Sequence, residues 1–244
     1  MKCSNTKCPF SARSAGRDRN RSFPANCLVS DSVKEISFSK GDFLFSQDQP
    51  SCCVYVLTEG AAKIVSVTPD GREQIVGFAT PDKLMVGLQS LSNDNYTESA
   101  VAETRITACK IRKRSLLSAV NGDATIALRL IDAMNTQLAM SRAMIRAGEH
   151  RSAVAKIAAF LLLLLPTDKR DDRRHVLPVS RSEIANILGL SEETVCRQMA
   201  KMKRRGILYA PRGAIEIYDW AKLTAIANDT SSISDCAAQA TPRA

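Results

Sequence analysis

The first clear pattern of apolar and polar positions lies between Val33 and Leu117, where short β-rich runs are separated by turns. The turn at residues 69–71 reads Pro-Asp-Gly, in which Pro presets the first turn angle and Gly tolerates a positive φ. Many short strands at this spacing are typical of an antiparallel sandwich or β-roll. The predicted strands are Lys34–Phe38, Phe43–Ser46, Cys53–Leu57, Ala62–Thr68, Glu73–Ala79 and Arg105–Ile111.

From residue 124 onwards the apolar positions follow helical spacing. Between Ala124 and Gly148 they recur three, four and seven residues apart, with no internal Pro or Gly. Such a helix either covers its own domain or forms the seam of a dimer, and the pattern alone does not choose between the two. A second helix is predicted over Arg151–Leu165, and a charged loop over residues 167–174. The positions assigned to the dimer helix are Leu130, Met134, Leu138 and Ile145.

The most specific local pattern occupies residues 180–218. Ser180 and Glu183 have the spacing of a capping box, which predicts that a helix begins there, and this helix ends at Gly189. After the glycine turn, Ser191 is a good N-cap for a second helix that extends to about Arg205. Two helices joined by a short glycine turn are the pattern of a helix-turn-helix.

The second of these helices has two distinct faces. Val195, Met199 and Met202 share one side and predict a buried stripe. Glu193 and Arg197 lie on the opposite side, near the helix N-terminus. An Arg can form a bidentate bond to guanine, and a Glu can accept a hydrogen bond from cytosine. Both side chains could therefore address one G·C pair.

Basic residues and a predicted β-hairpin follow. The hairpin pairs residues 206–209 with residues 214–217 around a turn at residues 211–213, and it forms the wing of a winged helix. Lys and Arg side chains here suit phosphate contacts, which position a protein on DNA without reading sequence. The predicted phosphate contacts are Lys201, Lys203, Arg204 and, at the wing tip, Arg212.

The composition favours a nucleic-acid partner. The 244 residues carry a net charge of +9, which favours nucleic acid ahead of an anionic membrane surface. This length suits two small domains. The longest apolar run, Ile157–Leu165, is far shorter than the ~20 residues of a membrane-spanning helix, and the N-terminus lacks the apolar region of a secretory signal. We therefore expect a cytoplasmic protein that does not bind membranes.

Few residues suit catalysis. His150 and His175 stand in unrelated contexts, no Cys–His or Ser–His pair is suggested, and no glycine loop that cradles phosphate occurs. We therefore do not expect an enzyme. A remote alternative is a ligand-sensing module that acts through protein partners without binding DNA, and such a module would not require the Glu193/Arg197 face.

The helix-turn-helix and wing closely resemble the DNA-binding end of the CRP/FNR superfamily, and are most similar to FixK-type regulators of low-oxygen metabolism. The resemblance covers residues 33 to 228. It implies an α+β fold with an N-terminal antiparallel β-roll of the cyclic-nucleotide-binding type, a long dimerisation helix and a C-terminal winged helix-turn-helix. The segments that carry it are LGLSEETVCR at 188–197, KRRG at 203–206, YAPRG at 209–213 and IEI at 215–217.

The resemblance also implies how the chain acts. It favours the dimer interpretation of the long helix, and it implies double-stranded DNA and RNA polymerase as partners. Positions that match Glu193 and Arg197 read TTGA-like half-sites in an inverted repeat. The implied organisation is a basic tail (1–30), a sensor domain (31–120), a dimerisation helix (121–150), a DNA-binding domain (151–228) and a second tail (229–244). The predicted DNA-binding residues are Ser180, Arg181, Ser191, Glu193, Thr194, Cys196, Arg197, Lys201, Lys203, Arg204 and Arg212.

Two ligands known from the superfamily can be compared with this sequence. Members that bind cyclic nucleotides carry Gly-Glu and then Arg-Ser or Arg-Thr, whereas here the matching stretch is Val86–Gln89 and no Arg occurs from Gln89 to Thr104. A buried phosphate would lack compensation, so we expect no cyclic nucleotide. FNR-like members bind an iron–sulfur cluster, and this alternative stays open, as does a plain core role for Cys109. The candidate cluster ligands are Cys3, Cys8, Cys27 and Cys109.

The eight cysteines are read as thiols, ligands or redox sensors, because a cytoplasmic chain rarely forms disulfides. Cys196 lies beside Arg197 near a helix N-terminus, a setting that makes a thiol more reactive. In FixK-type proteins the matching position is implicated in oxidative control of DNA binding, whereas a small, unreactive interface residue is the alternative. Adjacent Cys52 and Cys53 are expected on opposite faces of a strand, one in the core and one exposed, which argues against a disulfide between them.

Overall fold

The computed structural model describes residues 33–81, 85–150, 152–165 and 173–228. The chain divides into two compact units between Arg142 and Ala143. The predicted tails, residues 1–30 and 229–244, lie outside the described residues, as do Cys3, Cys8 and Cys27. Among the helices that the structure describes, none has the length and apolar character needed to cross a membrane.

The N-terminal unit contains two antiparallel four-stranded sheets, as the strand spacing predicts. The hairpin that joins the strands Ala62–Val67 and Glu73–Ala79 turns at Gly71, whose φ of 80° is the left-handed conformation that the Pro-Asp-Gly signal predicts. The eight strands are β1 (Val33–Phe38), β2 (Phe43–Phe45), β3 (Cys53–Glu59), β4 (Ala62–Val67), β5 (Glu73–Ala79), β6 (Met85–Val86), β7 (Ser99–Ala102) and β8 (Ile106–Arg112). Their order is β1-β8-β3-β6 in one sheet and β2-β7-β4-β5 in the other.

Strand β3 is buried on both faces, and its two faces belong to different cores. Tyr55 and Leu57 point into the roll interior, with residues from both sheets. Val54 and Val56 point outward and pack against helix α1 (Lys113–Gly122) and the start of helix α2 (Ala124–Glu149). This second cluster, between the sheet and the two helices, is called the outer core. Burial on both faces explains why this strand reads as a continuous apolar run rather than an alternating one.

Four elements in the described part of this unit were not predicted: β6, β7, α1 and the short 3-10 helix Leu88–Leu91. Strand β6 has two residues, and β7 has the small-residue sequence Ser-Ala-Val-Ala, so neither shows an apolar alternation. Helix α1 follows β8 without a turn, and its N-cap, Arg112, makes no side-chain capping bond. Without a capping residue such as Ser, Thr, Asp or Asn, the sequence does not indicate where this helix begins.

Helix α2 carries apolar residues on two sides. Its first turns bury Ile126 and Leu130 in the outer core of the roll. Met134, Leu138 and Ile145 instead leave 40%, 47% and 64% of their surface exposed. Leu130 therefore does not share the exposed stripe to which the sequence pattern assigns it. Each residue turns about 100° around a helix, and Leu130 falls on the edge nearest its own domain.

The described part of the C-terminal unit combines helices with a small antiparallel sheet. Its elements are α3 (Ala153–Leu164), β9 (Arg174–Val176), α4 (Arg181–Leu188), α5 (Glu192–Arg204), β10 (Leu208–Tyr209), β11 (Ala214–Ile217) and α6 (Trp220–Ala227). Helix α3 packs against α5 and α6, and the sheet order is β10-β11-β9. The predicted charged loop over residues 167–174 is wrong at its end, because Arg174 begins β9 and pairs with Glu216.

Candidate nucleic-acid interface

The two helices of the motif begin and end at the capping residues that the sequence predicts. The Ser180 hydroxyl accepts a hydrogen bond from the Glu183 backbone N–H at 3.1 Å, and the Glu183 carboxylate accepts from the Ser180 N–H at 2.8 Å. Gly189 ends α4 at a φ of 63°. The Ser191 hydroxyl then accepts from the Thr194 N–H at 3.2 Å and starts α5. These caps fix the angle at which α5 leaves the turn.

Helix α5 is anchored on one side and open on the other. Val195, Met199 and Met202 are almost fully buried, so the predicted apolar stripe is confirmed. The side chains of Glu193 and Arg197 are 86% and 59% exposed. A buried stripe of three residues holds the helix in one rotation, and this rotation leaves the Glu193/Arg197 face open to solvent.

Arg197 folds back over the first turn of its own helix. Its Nη1 lies 3.4 Å from Glu193 Oε1, and its Nη2 donates to the Thr194 hydroxyl at 3.3 Å. Because both partners are on the same exposed face, the guanidinium, the carboxylate and the hydroxyl form one small polar group. Exposed ion pairs of this kind contribute only ~0.2–1 kcal/mol, so the guanidinium can leave them at little cost.

Arg181 connects α4, α5 and the wing. Its Nη1 lies 3.4 Å from the Cys196 sulfur, and its Nη2 donates to the Ala210 carbonyl at 3.2 Å. The sequence places Arg181 among the DNA contacts but gives no signal for this bridging position. The contact also places a cation directly beside the Cys196 thiol, which is half-buried at the edge of the exposed face.

The predicted phosphate contacts lie around this face. Lys203, Arg204 and Arg212 are exposed, and Lys201 is half-buried. Lys203 has a partner that the sequence did not suggest, since its Nζ lies 4.4 Å from the centre of the Tyr209 ring in the wing. A cation over an aromatic ring is held in place but keeps its outward side free.

The stretch Val86–Gln89 and the residues after it contain a buried leucine and a partly buried carboxyl group. Leu88 is buried in the outer core. The Glu98 carboxylate accepts a hydrogen bond at its Oε2 from Gln89 Nε2 at 2.6 Å. Partial burial raises the pKa of the Glu98 carboxyl above its usual range. This segment therefore combines a buried leucine with a partly buried carboxyl group that is bonded to Gln89.

Cys109 lies in an apolar environment. It is 8% exposed and packs in the outer core with Val56 and Ile111 on the sheet side and Leu116 on α1. The described residues contain no group of three or more His, Cys, Asp or Glu side chains that could hold a metal ion. Within the described chain, Cys109 therefore fits a core position, and its three proposed partner ligands lie outside it.

Both units match known domain families. Residues 35–123 match the cyclic nucleotide-binding domain, and residues 155–226 match the Crp-like helix-turn-helix domain. A domain of the cyclic nucleotide-binding type followed by a Crp-like helix-turn-helix is the domain combination of a class of DNA-binding transcription regulators. The chain belongs to the CRP/FNR family of that class, and its predicted α+β architecture is confirmed.

Individual relatives support this assignment. The chain is 31% identical over 198 residues to the nitrogen fixation regulation protein FixK of Bradyrhizobium diazoefficiens, covering 80% of this chain and 82% of that protein. It is 31% identical over 205 residues to the transcriptional activator protein anr of Pseudomonas aeruginosa, covering 81% and 84%. The solved structure of FixK2 from Bradyrhizobium japonicum superposes with a TM-score of 0.69 at 26% identity, covering 80% of this chain and 96% of that one. By their names, these relatives are regulators rather than enzymes.

Proposed function

We propose that this protein binds an inverted repeat of TTGA-like half-sites as a homodimer and, together with RNA polymerase, controls low-oxygen or redox-linked metabolism. The observation that carries the proposal is the Glu193/Arg197 pair, exposed on a helix whose opposite side is buried. The likeness to FixK and anr supports the metabolic role, because the former is named for nitrogen fixation regulation and the latter as a transcriptional activator.

The base-reading step follows from the polar group at the start of α5. In the free protein, Arg197 is bonded to Glu193 and Thr194 at 3.3–3.4 Å. On DNA, the guanidinium would exchange these weak contacts for two hydrogen bonds to guanine, while Glu193 accepts from the paired cytosine. Arg212 and the basic end of α5 would contact phosphates on either side, which sets the depth and register of the helix.

Dimerisation is proposed through the exposed stripe of α2. Ile131, Met134, Leu138 and Ile145 are spaced three, four and seven residues apart and are 40–64% exposed. With Ser141, they occupy successive a and d positions of a heptad, the pattern by which two helices pack side by side. Burial against a second copy would remove this apolar stripe from water, where each fully buried side chain of this size contributes ~1.5–3 kcal/mol.

The test combines oligomeric state with DNA binding. Leu138→Glu places a charge in the stripe, and Thr136→Glu places the same charge at an exposed position on another side of α2. We expect Leu138→Glu to sediment as a monomer and to lose affinity for the inverted repeat, whereas Thr136→Glu stays dimeric and binds. A parent protein that binds the full repeat as a monomer would contradict the proposal.

Oxidative control through Cys196 is a second function that one observation favours. The Cys196 sulfur lies 3.4 Å from Arg181 Nη1, and the same guanidinium is bonded to the wing at Ala210. Oxidation to a sulfinate would add an anion beside Arg181 and close to the DNA phosphates. It would bind Arg181 more tightly and repel the duplex, so we expect oxidation to weaken DNA binding.

The sensor unit is proposed to act without a cyclic nucleotide. Glu98 and the absence of any Arg from Gln89 to Thr104 leave an anionic phosphate without a cation in this segment. Saturable binding of cyclic AMP at micromolar concentration in a calorimeter would contradict this. Because Cys109 is packed among apolar side chains, we assign no step to an iron–sulfur cluster; iron and sulfide analysis of anaerobically purified protein tests that alternative directly.

A further inference from the structure

Two cysteine sulfurs come together at the start of β3. The Sγ atoms of Cys52 and Cys53 are 3.5 Å apart. Cys52 is exposed, whereas Cys53 is 4% exposed and belongs to the interior core of the roll. The expectation that one of these cysteines is in the core and the other exposed is confirmed. The expectation that both belong to one pleated strand is wrong, because β3 begins at Cys53 and Cys52 precedes it.

The backbone around the two thiols is held from several sides. The Tyr96 hydroxyl accepts a hydrogen bond from the Cys53 N–H at 3.1 Å and donates to the Cys53 carbonyl at 2.6 Å. The Tyr96 ring stacks on Phe45, with centroids 4.1 Å apart. The Cys52 carbonyl accepts from the Lys113 N–H at 2.8 Å, at the first residue of α1. The thiol pair therefore joins the interior core to the beginning of a helix.

The two thiols differ in accessibility, and the buried one is a weak acid. Burial raises the pKa of the Cys53 thiol to about 11, and the neighbouring Cys52 adds to this effect. The Cys53 sulfur is therefore protonated and shielded at neutral pH. An oxidant in solution reaches the exposed Cys52 sulfur, and Cys53 lies in contact with it as the second reactant.

We propose that Cys52 and Cys53 form a two-thiol modification site that a hydroperoxide closes to a vicinal disulfide. In the first step the Cys52 sulfur attacks the peroxide oxygen that carries the hydrogen, and the O–O bond breaks. Cys52 becomes a sulfenic acid, and the other oxygen takes up the Cys52 thiol proton and leaves as water or alcohol. In the second step the Cys53 sulfur attacks the Cys52 sulfur. The S–O bond breaks, and the departing hydroxide leaves as water with the Cys53 proton.

Ring closure changes the interior of the sensor domain. A disulfide brings two sulfurs to about 2.05 Å, so the present 3.5 Å separation must shorten by roughly 1.5 Å. The peptide between the two cysteines carries the N–H that bonds to Tyr96. Closure therefore strains the Tyr96 hydrogen bonds and the Phe45 stack behind them, and it takes the Cys53 sulfur from its place in the core.

The chain offers a direct test, because trypsin releases residues 41–63 as one peptide with these two cysteines and no others. The full-length protein is treated with hydrogen peroxide, unfolded, alkylated with N-ethylmaleimide and digested. We expect this peptide to lose two hydrogens and to carry no label, and to carry two labels if reductant is added before alkylation.

Two single variants assign the roles. In Cys53→Ser, the sulfenic acid on Cys52 has no partner and should be trapped by dimedone, whereas the parent should yield little of this adduct. In Cys52→Ser, Cys53 should remain a thiol that takes one label after unfolding. The proposal is overturned if the oxidised parent still takes two labels on this peptide, or if dimedone traps Cys52 equally in the parent and in Cys53→Ser.

Discussion

Replacing Arg197 by Ala separates DNA reading from folding, because the structure gives the two effects very different sizes. The ion pair of Arg197 with Glu193 spans 3.4 Å on an exposed helix face. Its loss should change the free energy of unfolding by no more than ~0.5 kcal/mol. The loss of a bidentate contact to guanine costs ~1–3 kcal/mol, and a dimer makes it twice, which gives ~2–6 kcal/mol per site. At ~1.4 kcal/mol per tenfold change, affinity for the inverted repeat should fall roughly 30-fold or more.

The assay is a fluorescence-anisotropy titration at fixed salt with two duplexes, one carrying the inverted repeat and one scrambled. Salt must be matched because phosphate contacts make all DNA binding salt-dependent. Arg72→Ala is the control, since Arg72 is an exposed arginine of the sensor unit, paired with Asp70 at 3.2 Å, and its loss removes the same charge. If Arg197→Ala weakens binding to both duplexes equally, or no more than Arg72→Ala does, then α5 does not read bases as proposed.

Three further predictions address the helix cap at Ser180, the Cys196 thiol and the partly buried Glu98 carboxyl group. Ser180→Ala removes one half of the capping box and should lower the free energy of unfolding by ~0.5–2 kcal/mol in a denaturant titration, whereas Ser182→Ala on the exposed side of the same helix should have little effect. Cys196→Ser should bind DNA like the parent but resist peroxide, and an equally steep loss of binding in both proteins would place the oxidation site elsewhere. The raised pKa of Glu98 means that the folded state holds this proton more tightly than the unfolded state, so its contribution to stability is present at acidic pH and is lost as pH rises through the raised pKa. Glu98→Gln should therefore gain stability relative to the parent above that pH and not below it, and a pH-independent difference would refute this reason.

The DNA-binding motif was predictable because its signals are local. A capping box and an N-cap each depend on residues three apart, and the structure shows both sets of hydrogen bonds. The stripe of Val195, Met199 and Met202 needed only helical periodicity, and all three are buried. Such signals can be recognised in a single sequence because the interacting residues lie within a few positions of one another.

The features that the sequence did not predict depend on residues far apart in the chain. Strand β9 exists because Arg174 and Val176 pair with β11, about 40 residues later, and nothing in its short sequence indicates this partner. The bridge from Arg181 to Cys196 and Ala210 likewise joins three segments that only the folded domain brings together. The contact of Cys52 with Cys53 was missed for a different reason. The predicted strand begins at Cys53, as β3 does, but the alternation of a pleated strand was extended back to Cys52, which lies before the strand.

Helix α2 shows how one sequence pattern can serve two surfaces, and this bears on how the sensor unit would act. Leu130 packs in the outer core with Met85 and Leu88. Two turns further on, Gln137 Nε2 donates to the Met85 carbonyl at 2.8 Å, and Leu138, the next residue, is in the exposed stripe. A shift of the segment that begins at Met85 would therefore act on α2 at two points on its buried side. Because a helix moves as a stiff rod, the exposed stripe would move with it, and a dimer seam built on that stripe would change its packing.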